Sequence, residues 1–104
     1  MAQYDVIQLI RSVSMRDKYG VISHSETLSG EIPCTVSSLS RAEVFSGNQQ
    51  GLNPQFQFII FVGDYDEQEK LLYHEKLFYI YRTFINGDRI ELYCEKRKGT
   101  DKMG

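Results

Sequence analysis

Residues 86–95 read Asn-Gly-Asp-Arg-Ile-Glu-Leu-Tyr-Cys-Glu. The opening Asn86-Gly87-Asp88 is tight-turn chemistry. From Arg89 onward the chain alternates strictly. Ile90, Leu92 and Cys94 fall to one side, and Arg89, Glu91, Tyr93 and Glu95 to the other. A period of two with one apolar face is a strand lying on a core. Immediately upstream, Lys76–Arg82 reads as a second strand, apolar on both faces. A strand, a two- or three-residue turn and another strand make an antiparallel hairpin.

Working outward, Gln55–Val62 is the strongest strand of the chain, with Phe56, Phe58, Ile60 and Val62 on one face. Leu71–Tyr73 is a short strand. Asp5–Val13 is another, with Ile7, Leu9 and Val13 on one face and Val6 and Ile10 on the other. Arg16-Asp17-Lys18-Tyr19-Gly20 turns the chain. A return strand then runs from Val21 to Ser37 with a break near Ser29-Gly30. Pro33 cannot donate a ladder hydrogen bond, so it belongs at a sheet edge or a strand start. Ser40-Arg41-Ala42-Glu43 has capping-box spacing, predicting a helix over about Arg41–Gln50 that stops at Gly51. That helix is too short to stand alone, so Ala42 and Phe45 are expected to tie it to the sheet rim.

The expectation is a mainly β domain, a small antiparallel barrel or sandwich of about six strands with one short helix. One helix leaves no crossovers for a parallel sheet. The 104 residues form a single domain, with a polar tail frayed from about residue 97. Composition agrees: 7 Tyr and 6 Phe stand against 2 Pro, and aromatics favour strands. With 41% hydrophobic residues and a net charge of −2, disorder is excluded and no cationic field draws nucleic acid or anionic lipid. The longest apolar run, Phe58–Val62, is far short of the roughly 20 residues a membrane helix needs. The N-terminus has no basic and apolar leader, so an intracellular chain is expected.

Chemistry-bearing residues are sparse. His24 and His74 lie far apart among polar neighbours, which favours solvated rings over a metal site. Asp64, Asp66, Glu67 and Glu69 make an acidic loop without the ligand spacing of an EF-hand. It reads as a solvated loop, with a partner contact or Ca²⁺ as lesser readings. Cys34 and Cys94 sit on inferred core faces and read as inert thiols rather than a disulfide or a nucleophile. No Gly-x-Ser-x-Gly and no phosphate-binding glycine loop occurs. No catalytic residue, cofactor or metal is expected, and the chain is not expected to be an enzyme. A competing class is a small barrel binding single-stranded nucleic acid through Tyr79, Tyr81, Arg82, Tyr93, Lys96, Arg97 and Lys98. Tyr in strands more often packs half-buried. Val6, Ile10, Ile59, Phe61, Phe78 and Ile80 exceed what one small core needs, and such surplus often forms subunit contacts.

Several segments, in order, carry a family likeness: Asp17-Lys18-Tyr19-Gly20, Ile32-Pro33-Cys34-Thr35-Val36, Ser40-Arg41-Ala42-Glu43-Val44-Phe45, Phe56–Val62, Leu77-Phe78-Tyr79-Ile80 and Ile90-Glu91-Leu92-Tyr93-Cys94-Glu95. Over about Asp5 to Gly99 the chain resembles the small head–tail joining proteins of tailed bacteriophages, also called head closure or head–tail adaptor proteins. One departure is His74-Glu75-Lys76, where the family commonly has a Gly before its Tyr-x-Ile strand.

The resemblance implies a small β-barrel or sandwich that assembles as a ring below the portal. Such a ring closes the DNA-filled head and offers the tail a docking surface. Its partners would be portal and tail proteins and further copies of itself, with the isolated chain expected monomeric. Double-stranded DNA would pass only transiently, and no membrane is involved. The chain would belong to the virion and, during assembly, to the bacterial host cytoplasm. A tail completion ring is the neighbouring alternative. Subunit or partner contacts are expected at Arg41, Glu43, Phe45, Gln49, Gln50 and Asn53, in a Leu39–Pro54 segment that orders on docking. Others are expected at Asp64, Asp66 and Glu67, and at Lys96, Arg97 and Lys98.

Overall fold

The computed structural model describes residues 4–97, so Lys98 lies outside the described residues. Seven strands and one α-helix follow in the order β1 (Tyr4–Arg16), β2 (Ile22–Leu28), β3 (Ile32–Ser38), α1 (Arg41–Gln49), β4 (Pro54–Phe61), β5 (Lys70–Tyr73), β6 (Lys76–Asn86) and β7 (Arg89–Glu95). A single 3₁₀ turn, Val62–Asp64, follows β4. All strands lie in one antiparallel sheet of order β2-β1-β3-β4-β7-β6-β5, and β1 also pairs with β5. That last pairing closes six strands into a ring.

The expected return strand after Gly20 is two strands. β2 pairs with Ile10–Arg16 and β3 with Tyr4–Ile7, and Ser29 marks the step between them. The Ser29 N–H donates to the Leu9 carbonyl (2.9 Å), and the Leu9 N–H donates to Ser29 Oγ (2.9 Å). Pro33 sits at the start of β3, opposite Val6, where a missing N–H costs least. β3 itself lies between β1 and β4, not at an edge.

The ring interior is the core. Phe58, Ile60, Leu71, Leu92 and Cys94 are fully buried, and Ile7, Leu9, Ile32, Cys34, Phe78 and Ile90 nearly so. The alternation of β7 therefore places Ile90, Leu92 and Cys94 inward as expected. Glu95, expected outward, is instead only 4% exposed. Its Oε1 accepts the Asn53 N–H (3.1 Å) and its Oε2 the Arg97 Nε–H (3.2 Å). A register shift between Pro54 and Phe56 on the neighbouring strand accompanies this inward placement. Phe56, Phe58, Tyr73 and Phe78 meet edge-on or tilted, with ring centroids 5.0–6.3 Å apart. Ile10 and Phe78, read as surplus, are core residues, and Ile80 packs against the core; Val6 and Phe61 are exposed.

Both cysteines are free and buried. Burial, and then the charge of Asp5, pushes the Cys34 thiol up to about 11; burial alone raises Cys94. Neither forms a thiolate near neutral pH. No helix among the described residues is long and apolar enough to cross a membrane.

Two hairpins show how the turns are built. At Asn86-Gly87-Asp88-Arg89 the first central residue has φ of +68°, which Gly supplies at no steric cost. At Tyr73–Lys76 both central residues, His74 (φ 51°) and Glu75 (φ 63°), are left-handed without being Gly. His74 is held there by its Nε2 contact to Asp5 Oδ1 (3.1 Å) and by stacking on Tyr73 (4.1 Å). Those contacts offset the strain, which is about 1 kcal/mol or more per residue.

Two stability outcomes follow. Phe58→Ala empties the ring centre and should cost about 3–5 kcal/mol in urea unfolding. Glu75→Gly relieves one left-handed residue and should raise stability by about 1 kcal/mol; a loss of stability would contradict the turn geometry.

Candidate functional site

Strand direction sorts the expected contact residues. β1 begins, and β3, β5 and β7 end, at the same rim of the ring, together with the starts of β4 and β6. Arg41, Glu43, Phe45, Gln49, Gln50, Asn53, Lys96 and Arg97 gather at this rim. Asp64, Asp66 and Glu67 lie at the opposite rim, in the loop that leaves β4. The sequence set them out as three groups, the helix segment, the acidic loop and the basic tail; the fold brings the first and third to one rim and leaves the loop at the other.

At the first rim, α1 packs on the start of β4. Ser40 caps it, its Oγ accepting the Glu43 N–H at 3.1 Å. Only this half of the capping box forms. The Glu43 carboxylate turns away to the sheet, where it accepts the Tyr81 hydroxyl (2.6 Å) and Arg82 Nη2 (2.6 Å). Ala42 and Phe45 were expected to anchor the helix but do not. Ala42 is exposed and Phe45 is 66% exposed. The buried contact is Gly47, where any Cβ would stand 2.3 Å from the Pro54 ring. A glycine there lets the helix touch the strand, and Glu43 fastens it. The Leu39–Pro54 segment thus carries the expected helix, Arg41–Gln49.

The polar clip extends along the outer wall. The Arg82 guanidinium lies 3.9 Å from the centroid of Tyr93. The Tyr93 hydroxyl donates to Glu91 Oε1 (2.7 Å), which also accepts Gln57 Nε2 (2.8 Å). Burial pushes the Glu43 carboxyl upward, but the bonds from Tyr81 and Arg82, with the charge of Arg82, outweigh it and hold it below its ordinary value. Burial and the bond to Glu43 push the Tyr81 phenol up.

At the same rim Asn48, Gly51, Leu52, Asn53, Glu95, Lys96 and Arg97 line an open groove of about 470 Å³. Asn53 stitches it, donating from Nδ2 to the Lys96 carbonyl (3.1 Å) while the Lys96 N–H donates to the Asn53 carbonyl (3.1 Å). The Arg97 guanidinium lies 3.9 Å from the centroid of Tyr79.

At the far rim Asp66 pairs with Arg11, and Lys70 with Glu26. Asp64 and Glu67 are exposed. Exposed pairs of this kind contribute little to stability. Among the described residues no group of three or more His, Cys, Asp or Glu side chains could hold a metal ion.

No protein-family model matches the chain, and no curated protein matches it.

Sequence reading missed three features, two of them exposed. One is the distal β1–β2 ribbon beyond Ile10, where nearly every residue is exposed and Tyr19 stands 79% exposed at the tip. Another is the end of β6, where Phe84 is 52% and Ile85 60% exposed. The Asn86-Gly87 turn held that signal, because a two-residue loop requires the strand to run through 83–85. The third is the Tyr81–Arg82 clip, which depends on a register shift between Ile80 and Arg82 that no local pattern marks.

Glu43→Ala should leave the core intact but speed hydrogen exchange of the α1 amides by about tenfold, the equivalent of one to two lost hydrogen bonds. The pH dependence has a definite sign. A carboxyl held below its ordinary value stabilises fully above that value and loses its contribution as pH falls through the folded one. Acidification should therefore loosen α1 in the wild type and change it little in Glu43→Ala.

Proposed function

We propose that this protein is a structural joint of a tailed bacteriophage or prophage, a head–tail joining subunit. It forms a ring below the portal, closes the DNA-filled head and presents a surface to the tail. The proposal starts from the ordered likeness of the sequence segments to that family. One observation carries it further. The residues expected to meet partners fall at two opposite rims of one closed sheet, the helix with Asn53, Lys96 and Arg97 at one and the acidic loop at the other. A ring held between two different neighbours needs two axial faces of unlike chemistry.

The nucleic-acid reading is weaker on the same wall. A base-stacking surface needs open aromatic faces. Here Arg82 lies over Tyr93 and Arg97 over Tyr79. The chain is also mildly acidic, with a net charge of −2. A lumen without strong positive charge lets double-stranded DNA pass instead of holding it. A tail completion ring shares the same geometry and differs only in which particle it joins.

Purified protein added to portal-bearing, DNA-filled heads that lack it should co-sediment with them and restore tail attachment. Absence of binding by the folded protein would overturn the proposal. Reversing Asp64, Asp66 and Glu67 to lysine should cut tail-bearing particles by about tenfold or more while leaving urea unfolding within about 0.5 kcal/mol. Normal particle yield from that variant would remove the acidic loop from the contact.

A further inference from the structure

Among the described residues, closure of the ring leaves β1 past Ile10 without a partner on its β5 side, and it leaves β2 and the end of β6 with open edges as well. β2 pairs with β1 alone, so its other edge is open over Ile22–Leu28. β6 pairs with β5 only from Lys76 to Tyr79 and with β7 along its length, so Arg82–Asn86 has one open side. Open edges present rows of main-chain donors and acceptors, and soluble proteins usually blunt them with bulges, prolines or inward charges. Neither stretch contains a proline or a lysine; each carries one charged residue, Glu26 and Arg82, and the register shift between Ile80 and Arg82 lies before the open part of β6. Both are bordered by exposed apolar side chains, Val21, Ile22 and Leu28 on one and Phe84 and Ile85 on the other.

We infer that the open edge of β2 in one copy pairs with the open edge of β6 in the next, so that the β1–β2 ribbon is the arm that links neighbouring subunits. The inference deepens the ring reading of the preceding section and rests on it.

Three observations select a second copy as the occupant. The two edges belong to the same chain, and each presents unpaired main-chain N–H and C=O groups that the other can meet. They are different edges, so their pairing is head-to-tail, and such contacts continue from copy to copy, forming a ring where the rotation closes, instead of stopping at dimers. The charges also match. The ribbon tip carries Arg16 and Lys18 against Asp17, whereas the loop beside β6 carries Asp64, Glu67 and Glu69 besides Asp66, which pairs with Arg11 of its own chain. That loop reaches β6 where its open stretch begins, the Ile80 N–H donating to the Glu69 carbonyl at 2.9 Å. An arm laid along Arg82–Asn86 brings its basic tip into the neighbourhood of those carboxylates. The pairing also explains the ribbon itself. A two-stranded ribbon exposed on both faces is marginal in water, and a third strand is what stabilises it.

The test uses chains with one added cysteine each, on portal-bearing heads. One set carries a cysteine at each position from Ser23 to Thr27 in turn, and the other carries Phe84→Cys. Cys34 and Cys94 are buried and stay out of the reaction. After mixing, sedimentation with heads and mild oxidation, a cross-linked dimer should appear between the two sets at one or two scanned positions, and not within either set alone. Phe84→Lys combined with Ile85→Lys changes only exposed positions and should keep the monomer's circular dichroism and melting curve. It should lower head-bound protein by about tenfold or more. If protein sediments with heads but no position in the scan cross-links, or the double-lysine variant binds like wild type, edge pairing is overturned and the ring reading stands. Cross-links within one set alone would mean a symmetric dimer and overturn it equally. If no wild-type protein sediments with heads, both readings fall together.

Discussion

Three residue pairs, Gln8–Leu72, Leu9–Leu71 and Ile10–Lys70, join the first long strand to one of the last and close the sheet. Without them the chain is an open seven-stranded sheet with an apolar face in water. With them that face becomes an interior. Leu9 and Leu71 are both fully buried at this seam. The seam is also short, because β5 has only four residues. Past Ile10 on one side and past Tyr79 on the other, β1 and β6 have outrun it. The protruding ribbon and the open end of β6 are thus the remainder of a ring whose closing strand is shorter than its neighbours.

The wall near the helix rests on a different physical basis from the core. Inside, apolar volume is packed away from water. Outside, α1 is held by hydrogen bonds from Glu43 to Tyr81 and Arg82 and by one close backbone approach at Gly47. Polar fastening of this sort contributes less than burial. It leaves Phe45, the largest side chain of the helix, facing solvent. The helix therefore offers its apolar side chain outward.

Much of the fold was legible in the chain. The alternation of Arg89–Cys94 and of Phe56–Ile60 follows the strand period closely enough to assign the inner face, and it breaks only at Glu95. The Ser40 cap and the turn at Asn86-Gly87 are local chemistry and were equally readable. Illegible features depend on what lies across the sheet. Glu95 is buried because Asn53 and Arg97 reach its two oxygens. Glu43 leaves its own capping box because Tyr81 and Arg82 stand opposite. Ile10 was read as surplus because its partners Leu28 and Lys70 come from distant segments. The contact residues were legible as residue types, but their division between two rims is a property of strand direction that only the closed ring displays.

Ser29 has a consequence beyond the bonds it makes. By tying itself to both main-chain groups of Leu9, it ends the part of the hairpin that belongs to the ring and begins the part that does not. Everything between Ser12 and Thr27 can lengthen or shorten without moving a core residue. Lengthening both legs by two residues keeps the same side chains on the same faces; lengthening them by one inverts both. The ribbon is thus a ruler graduated in steps of two residues, about 6–7 Å each.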